Sequence, residues 1–107
     1  MNDLYLVRIK FFSNSIKKSL SNFNAVKTRY SPHLVVKGDG EYLGVTFVDG
    51  GANYEYDKEI DVLVESIYDG IGYYKLVEGV EFLIMEGPHI VGEGIVRDII
   101  ADEEKME

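Results

Sequence analysis

The sequence has 107 residues, a formal net charge of −8 and no cysteine. That length sets one small domain, long enough to bury a core, and a hydrophobic fraction of 46% supplies the apolar surface. The missing cysteines exclude disulfide frameworks, thiolate zinc sites and cysteine nucleophiles. The acidity argues against binding to nucleic acid, whose affinity rests on neutralising phosphates.

The charge is unevenly placed. Met1 to Gly38 carries Arg8, Lys10, Lys17, Lys18, Lys27, Arg29 and Lys37 against Asp3 alone, so the acid surplus lies beyond Gly38. Two readings follow: the two parts interleave in one fold and the split means little, or an acidic face meets a basic partner. The opening "MNDLYLVRIKFFSNS" has no basic stretch leading into a long apolar one, so no secretory signal is expected. No apolar run approaches the roughly 18 residues of a membrane helix. The expectation is a soluble cytoplasmic protein without a membrane segment.

In "LYLVRIKFF", Leu4 to Phe12, residues Tyr5, Val7, Ile9 and Phe11 alternate with Arg8 and Lys10, which predicts a strand with one wet face. Ser13 to Pro32 is rich in Ser and Asn, which favour turns. Ile16, Leu20 and Phe23 within it have the spacing of one short helix in 13–29. Pro32 biases Ser31 toward an extended conformation and opens a strand "HLVVK", His33 to Lys37. "GDG" at Gly38 to Gly40 is a turn between that strand and "EYLGVTFV", Glu41 to Val48, a hairpin pattern.

"DGGANYEYDKE" reads as a polar loop with a short edge strand at Tyr54 to Tyr56. "IDVLVESIY" follows with Ile60, Val62 and Val64 inward and Asp61 and Glu65 outward. "DGIG" turns the chain, and "VEFLIM", Val80 to Met85, then pairs with "HIVGEGIVRDII", His89 to Ile100, through "EGP". Gly87 serves that tight turn, while Gly92 and Gly94 let a strand bend or bulge, or let another backbone approach closely. The tail 101–107 is charged. Six short strands with turn signals and almost no helix predict a single antiparallel six-stranded β-barrel of Greek-key type, with its core over about 4–100.

The closing run Glu78 to Val96, with Glu86, Gly87, Val91, Gly92 and Gly94 in an E-G-x-x-x-V-G-x-G pattern, resembles the end of the C-terminal β-barrel of the elongation factor Tu family. "RYSPHLVVKGD" is similar to a second segment of that barrel through Tyr30, Pro32 and Asp39. "EIDVLVESI" suits its strand before the final hairpin and "VRIKFF" its first strand. The resemblance spans roughly Val7 to Ile100. It implies a barrel standing alone, since no G-x-x-x-x-G-K-[ST] phosphate loop occurs. In that family the barrel packs on a GTPase domain and touches aminoacyl-tRNA. Here the family's G-G-R-x-T-P-F loop has no counterpart, and arginines of the family pattern are replaced by Ser31 and His89. Lys37 matches another, and Glu93 stands where the family has a small residue. Loss of arginines removes bidentate phosphate contacts.

His33 and His89 each follow a proline, which makes them turn residues rather than a metal pair lacking a third ligand. An EF-hand started at Asp49 puts Gly51 and Tyr54 at the wrong positions. Glu55, Asp57, Glu59 and Asp61 form either a carboxylate cluster or a solvated strand edge. "GDGEYLG" and "DGIGYYK" lack G-x-G-x-x-G spacing and a following helix. No nucleophile motif is present, and no cofactor or metal is implied.

Eight tyrosines are present. Tyr54, Tyr56, Tyr68, Tyr73 and Tyr74 lie in or beside acidic turns, and tyrosine couples large apolar area to a polar tip at interfaces. Tyrosine also simply suits strands. The leading expectation is a non-catalytic, protein-binding barrel using Tyr54, Glu55, Tyr56, Asp57, Tyr68, Asp69, Tyr73 and Tyr74 against a basic protein partner. A small inhibitor such as an immunity protein against a toxin has these properties. The alternative is a translation accessory contacting tRNA or a translational GTPase through Lys17, Lys18, Lys27, Arg29 and Lys37. An enzyme is the least expected reading.

Overall fold

The computed structural model describes residues 3–13, 29–50, 55–68 and 72–100. These form β1 (Leu4–Phe11), β2 (His33–Val36), β3 (Leu43–Gly50), β4 (Ile60–Ser66), β5 (Glu81–Glu86) and β6 (His89–Ile100), with one 3₁₀ turn at Tyr73–Lys75 before β5. The strands close into a barrel in the order β1-β4-β3-β2-β5-β6. Every neighbouring pair is antiparallel. Closure leaves no long sheet edge to recruit another chain.

The period-two pattern of the sequence sets what is inside. Tyr5, Val7, Ile9 and Phe11 of β1 are buried, together with Leu34 of β2, Leu43, Val45 and Phe47 of β3, Val62 and Val64 of β4, Phe82 and Ile84 of β5, and Val91 and Val96 of β6. Burial of this kind is the main favourable contribution to folding. Arg8 and Lys10 stand outward, as the alternation requires. Arg8 forms a two-bond contact with Asp61, Nε to Oδ1 at 2.8 Å and Nη2 to Oδ2 at 3.3 Å. That bond raises the Arg8 pKa and holds the Asp61 carboxyl below its usual range.

The glycines of β6 have a steric reason. Gly94 pairs with Ile9 of β1 and Phe82 of β5, and Gly92 pairs with Phe11 and Ile84. A Cβ at Gly94 would sit 2.7 Å from the Arg8 carbonyl oxygen, 2.7 Å from Phe82 Cζ and 2.8 Å from Ile9 Cγ2. At Gly92 it would sit 2.5 Å from the Lys10 carbonyl oxygen. Small residues here make room for large ones on both neighbouring strands, so the barrel can close. Gly87, at φ 59°, precedes Pro88, whose ring fixes a negative φ, and this sign combination is that of a type II′ hairpin turn.

One expectation is corrected. Glu55 is outside any strand and Tyr56 and Asp57 form a turn, so the described part of the proposed edge strand at Tyr54–Tyr56 is a loop. Asp57, at φ 62°, takes the left-handed conformation that a strand does not allow, and its N–H donates to the Phe11 carbonyl at 2.7 Å. The helix expected in 13–29 and the charged tail lie outside the described residues.

Because all neighbours are antiparallel, the barrel has two distinct ends. The first end collects the start of β1, the β2–β3 turn, the β4–β5 connection and the end of β6. The second collects the end of β1, the β3–β4 connection and the β5–β6 turn. Aromatic rings fill the second: Tyr30 lies edge-on to Phe47 and Phe11, at 5.2 and 5.9 Å between centroids. The Tyr30 hydroxyl donates to Glu86 Oε2 at 2.5 Å, and burial, aided by Glu86, pushes its phenol pKa up. Tyr73 and Leu76 close the first end from inside.

Candidate functional site

The two ends assort the expected interface residues into separate groups. Glu55, Tyr56 and Asp57 lie at the second end, Tyr68, Tyr73 and Tyr74 at the first. Between them runs β4, whose seven residues span about 20 Å. Tyr54 and Asp69 lie outside the described residues. A single face therefore cannot use both tyrosine groups.

Within each group the side chains differ in role. Tyr56 is half-buried against the core, and its hydroxyl is buried without a hydrogen-bond partner. Asp57 Oδ1 accepts the Ser13 N–H at 3.3 Å, and Glu55 pairs with Lys58 at 3.4 Å. Tyr73 is buried in the core rather than displayed. Its hydroxyl donates to the Gly44 carbonyl and accepts the N–H groups of Ile67 and Tyr68, each at 3.2 Å. Tyr73 thereby shapes the β4–β5 connection and leaves an interface to its neighbours. Tyr68 is 53% exposed and Tyr74 is 79% exposed.

The exposed apolar residues cluster. Among the described residues, Ile67, Tyr68, Tyr74, Val77, Ile99 and Ile100 belong to the first end, while Ile90 lies on the β5–β6 hairpin and Tyr42 reaches along the wall to the Gly87 carbonyl of that hairpin. Single exposed apolar residues are ordinary; a group on one end is not. Sequence reading missed Tyr42, Ile67, Val77, Ile99 and Ile100, because a lone apolar residue beside a strand end or in a connection looks the same in sequence whether it is covered or exposed.

Asp3, Asp39, Glu41 and Glu78 belong to the same end. Lys75 lies between Asp39 and Glu41, at 3.0 and 2.8 Å. Glu41 also accepts the Gly72 N–H at 3.2 Å, so the cluster ties the β2–β3 turn to the 3₁₀ turn. The Glu41 backbone N–H, then Lys75, holds the Asp39 carboxyl below its usual range, and Lys75, then the Gly72 N–H, does the same for Glu41. These two carboxylates raise the Lys75 pKa in turn. The end is thus acidic and apolar together, with Lys75 engaged and Arg97 nearby on β6.

The cations expected to touch RNA are placed differently. Lys37 is held by Glu81 and Glu93, both at 3.2 Å. Arg29 is exposed, in a left-handed backbone conformation at φ 59°. Lys17, Lys18 and Lys27 lie outside the described residues. On the barrel wall, Arg8, Lys10, Lys37, Glu59, Glu81 and Glu93 border a groove of about 260 Å³. A second groove of about 400 Å³ adjoins it through Arg8, Glu59 and Ile95. Opposite charges are interleaved there, so the wall offers no stripe of one sign for a phosphate backbone.

Neither groove is lined by His33 or His89. His33 sits on the outer wall beside Tyr42, and His89 opens β6 exposed. Among the described residues no group of His, Asp and Glu could hold a metal ion, and no helix is long and apolar enough to cross a membrane. No protein-family model matches the chain, and a search of the curated proteins finds no match.

Proposed function

We propose that the chain is a non-catalytic, protein-binding β-barrel of the cytoplasm that engages a basic protein partner through its first end, in the manner of an inhibitor or immunity-type protein. The observation that carries this reading is the gathering of exposed apolar side chains on an end rich in carboxylates. Buried apolar contact would supply affinity, and the charge of −8 would speed encounter with an oppositely charged surface. The run Glu86 to Gly94 supports the further proposal that the barrel is a stand-alone relative of the C-terminal barrel of the elongation factor Tu family.

The test is affinity capture from native lysate followed by mass spectrometry. A basic protein that stays bound at moderate salt is the expected result. Recovery of RNA with no protein partner would contradict the proposal and favour the translation-accessory alternative.

A further inference from the structure

Exposed rings on the wall that runs from the first end to the β5–β6 turn are held in place. The Tyr42 hydroxyl donates to the Gly87 carbonyl at 3.2 Å, and its ring lies 5.5 Å from the His33 ring between centroids. Tyr68 is anchored by its own amide, which donates to the Tyr73 oxygen at 3.2 Å. Its ring covers Gly44. A Cβ at Gly44 would meet Tyr68 Cε2 at 2.8 Å, with His33 Nε2 at 3.6 Å. Tyr68, His33 and Tyr42 therefore form a continuous shelf with glycine as its floor. Tyr42 is 42% exposed, so a fixed aromatic surface faces solvent at both margins.

Fixed rings bind at low entropic cost, because little freedom remains to be lost. Aromatic faces attract cations and flat apolar groups. The surplus of carboxylates selects the cation. A guanidinium satisfies both preferences, since it is planar, always charged and more weakly hydrated than an ammonium. A contact of the same kind occurs elsewhere on the chain, where Lys75 Nζ lies 5.9 Å from the Tyr74 ring centroid. We infer that the shelf of Tyr42, His33 and Tyr68 seats an arginine side chain of the partner. This inference rests on the reading that the partner is basic, and it adds which side chain anchors it and where.

The test uses blocked hexa-arginine and hexa-lysine peptides at low salt. Nuclear magnetic resonance of the tyrosine rings reads the location and titration reads the affinity. Hexa-arginine should shift the Tyr42 and Tyr68 ring signals and bind more tightly than hexa-lysine. Tyr68→Phe, which keeps the ring, should retain binding. Tyr68→Leu should weaken it about threefold to tenfold, with thermal unfolding confirming a folded variant. Tyr42→Leu carries the same expectation if the Tyr68→Leu variant does not fold. Equal affinity for the two peptides, or hexa-arginine binding that leaves the shelf signals unmoved, would overturn the arginine seat and leave the basic-partner reading standing. Absence of binding by either peptide would overturn both.

Discussion

Substituting Gly94 by Ala tests the account of barrel closure. The added methyl would lie 2.7 Å from the Arg8 carbonyl oxygen and 2.7 Å from Phe82 Cζ, well inside contact distance. The carbonyl belongs to a strand bonded on both sides, so it cannot rotate away, and Phe82 is fully buried. Overpacking of this sort costs about 1–3 kcal/mol, and the rigid partner places Gly94→Ala near the upper figure. Replacing glycine also stiffens the unfolded chain, which offsets about 0.4–1 kcal/mol. The net is a loss of about 2 kcal/mol, or a fall in melting temperature of roughly 8–10 °C for a domain of this size. The assay is urea and thermal unfolding followed by circular dichroism, with Gly40→Ala as control, since a Cβ at Gly40 meets nothing within 4 Å. A Gly94→Ala variant as stable as the Gly40→Ala control would refute the reasoning.

Removing the unpartnered hydroxyl with Tyr56→Phe is expected to leave stability unchanged or raise it by about 1 kcal/mol, measured by urea unfolding; a loss of that size would mean the hydroxyl has a partner. Tyr73→Phe is expected to cost about 1–3 kcal/mol, because the Tyr68 amide loses its partner and the Gly44 carbonyl and the Ile67 amide keep only their mutual bond at 3.2 Å. The Asp39 and Glu41 carboxyls have lowered pKa values in the folded state, so their stabilisation is present above the ordinary values of 3.8 and 4.5 and fades as pH falls through the folded values. Urea midpoints measured between neutral and acid pH should therefore fall less steeply in Lys75→Met than in the wild type. Burial, with Asp3 second, pushes the Tyr5 phenol up to about 12, so that part of the stability is complete below pH 10 and is lost as pH rises toward 12. Ultraviolet titration of the tyrosines should show a late class that ionises only with unfolding.

The strands were legible where burial alternates strictly. Tyr5, Val7, Ile9 and Phe11 specify the inward face of β1 with no other information, and the glycines of "IVGEGIV" pointed to a close backbone approach. The alternation fails in β6, where Val91 and Gly92 are both buried. The pairing steps from Met85↔Ile90 to Ile84↔Gly92, so Val91 is an extra residue that shifts the phase. Gly92 signalled that a bend or bulge was allowed here, but which residue is the extra one follows from the pairing of β6 with β5 and has no local mark.

The site was legible in part. Tyr68 and Tyr74 stand where an interface was expected, whereas Tyr73, with an identical neighbour in sequence, turns inward because the 3₁₀ turn rotates successive side chains apart. The grouping of Tyr54–Asp57 with Tyr68–Tyr74 overlooked a signal the sequence does hold. One strand joins the two stretches, and in an antiparallel barrel the loops before and after one strand lie at opposite ends. The ion pairs of Lys37 with Glu81 and Glu93 join residues far apart in the chain, so composition alone counted Lys37 as available.

The most direct measurement repeats the native capture with paired variants. Tyr68→Arg with Tyr74→Arg places positive charge on the first end, and Glu55→Arg places it on the β3–β4 connection at the second end, away from the shelf. The account predicts that a basic protein is retained by the wild type and by Glu55→Arg and is lost with the double variant. Retention by the double variant, or loss with Glu55→Arg alone, would contradict it.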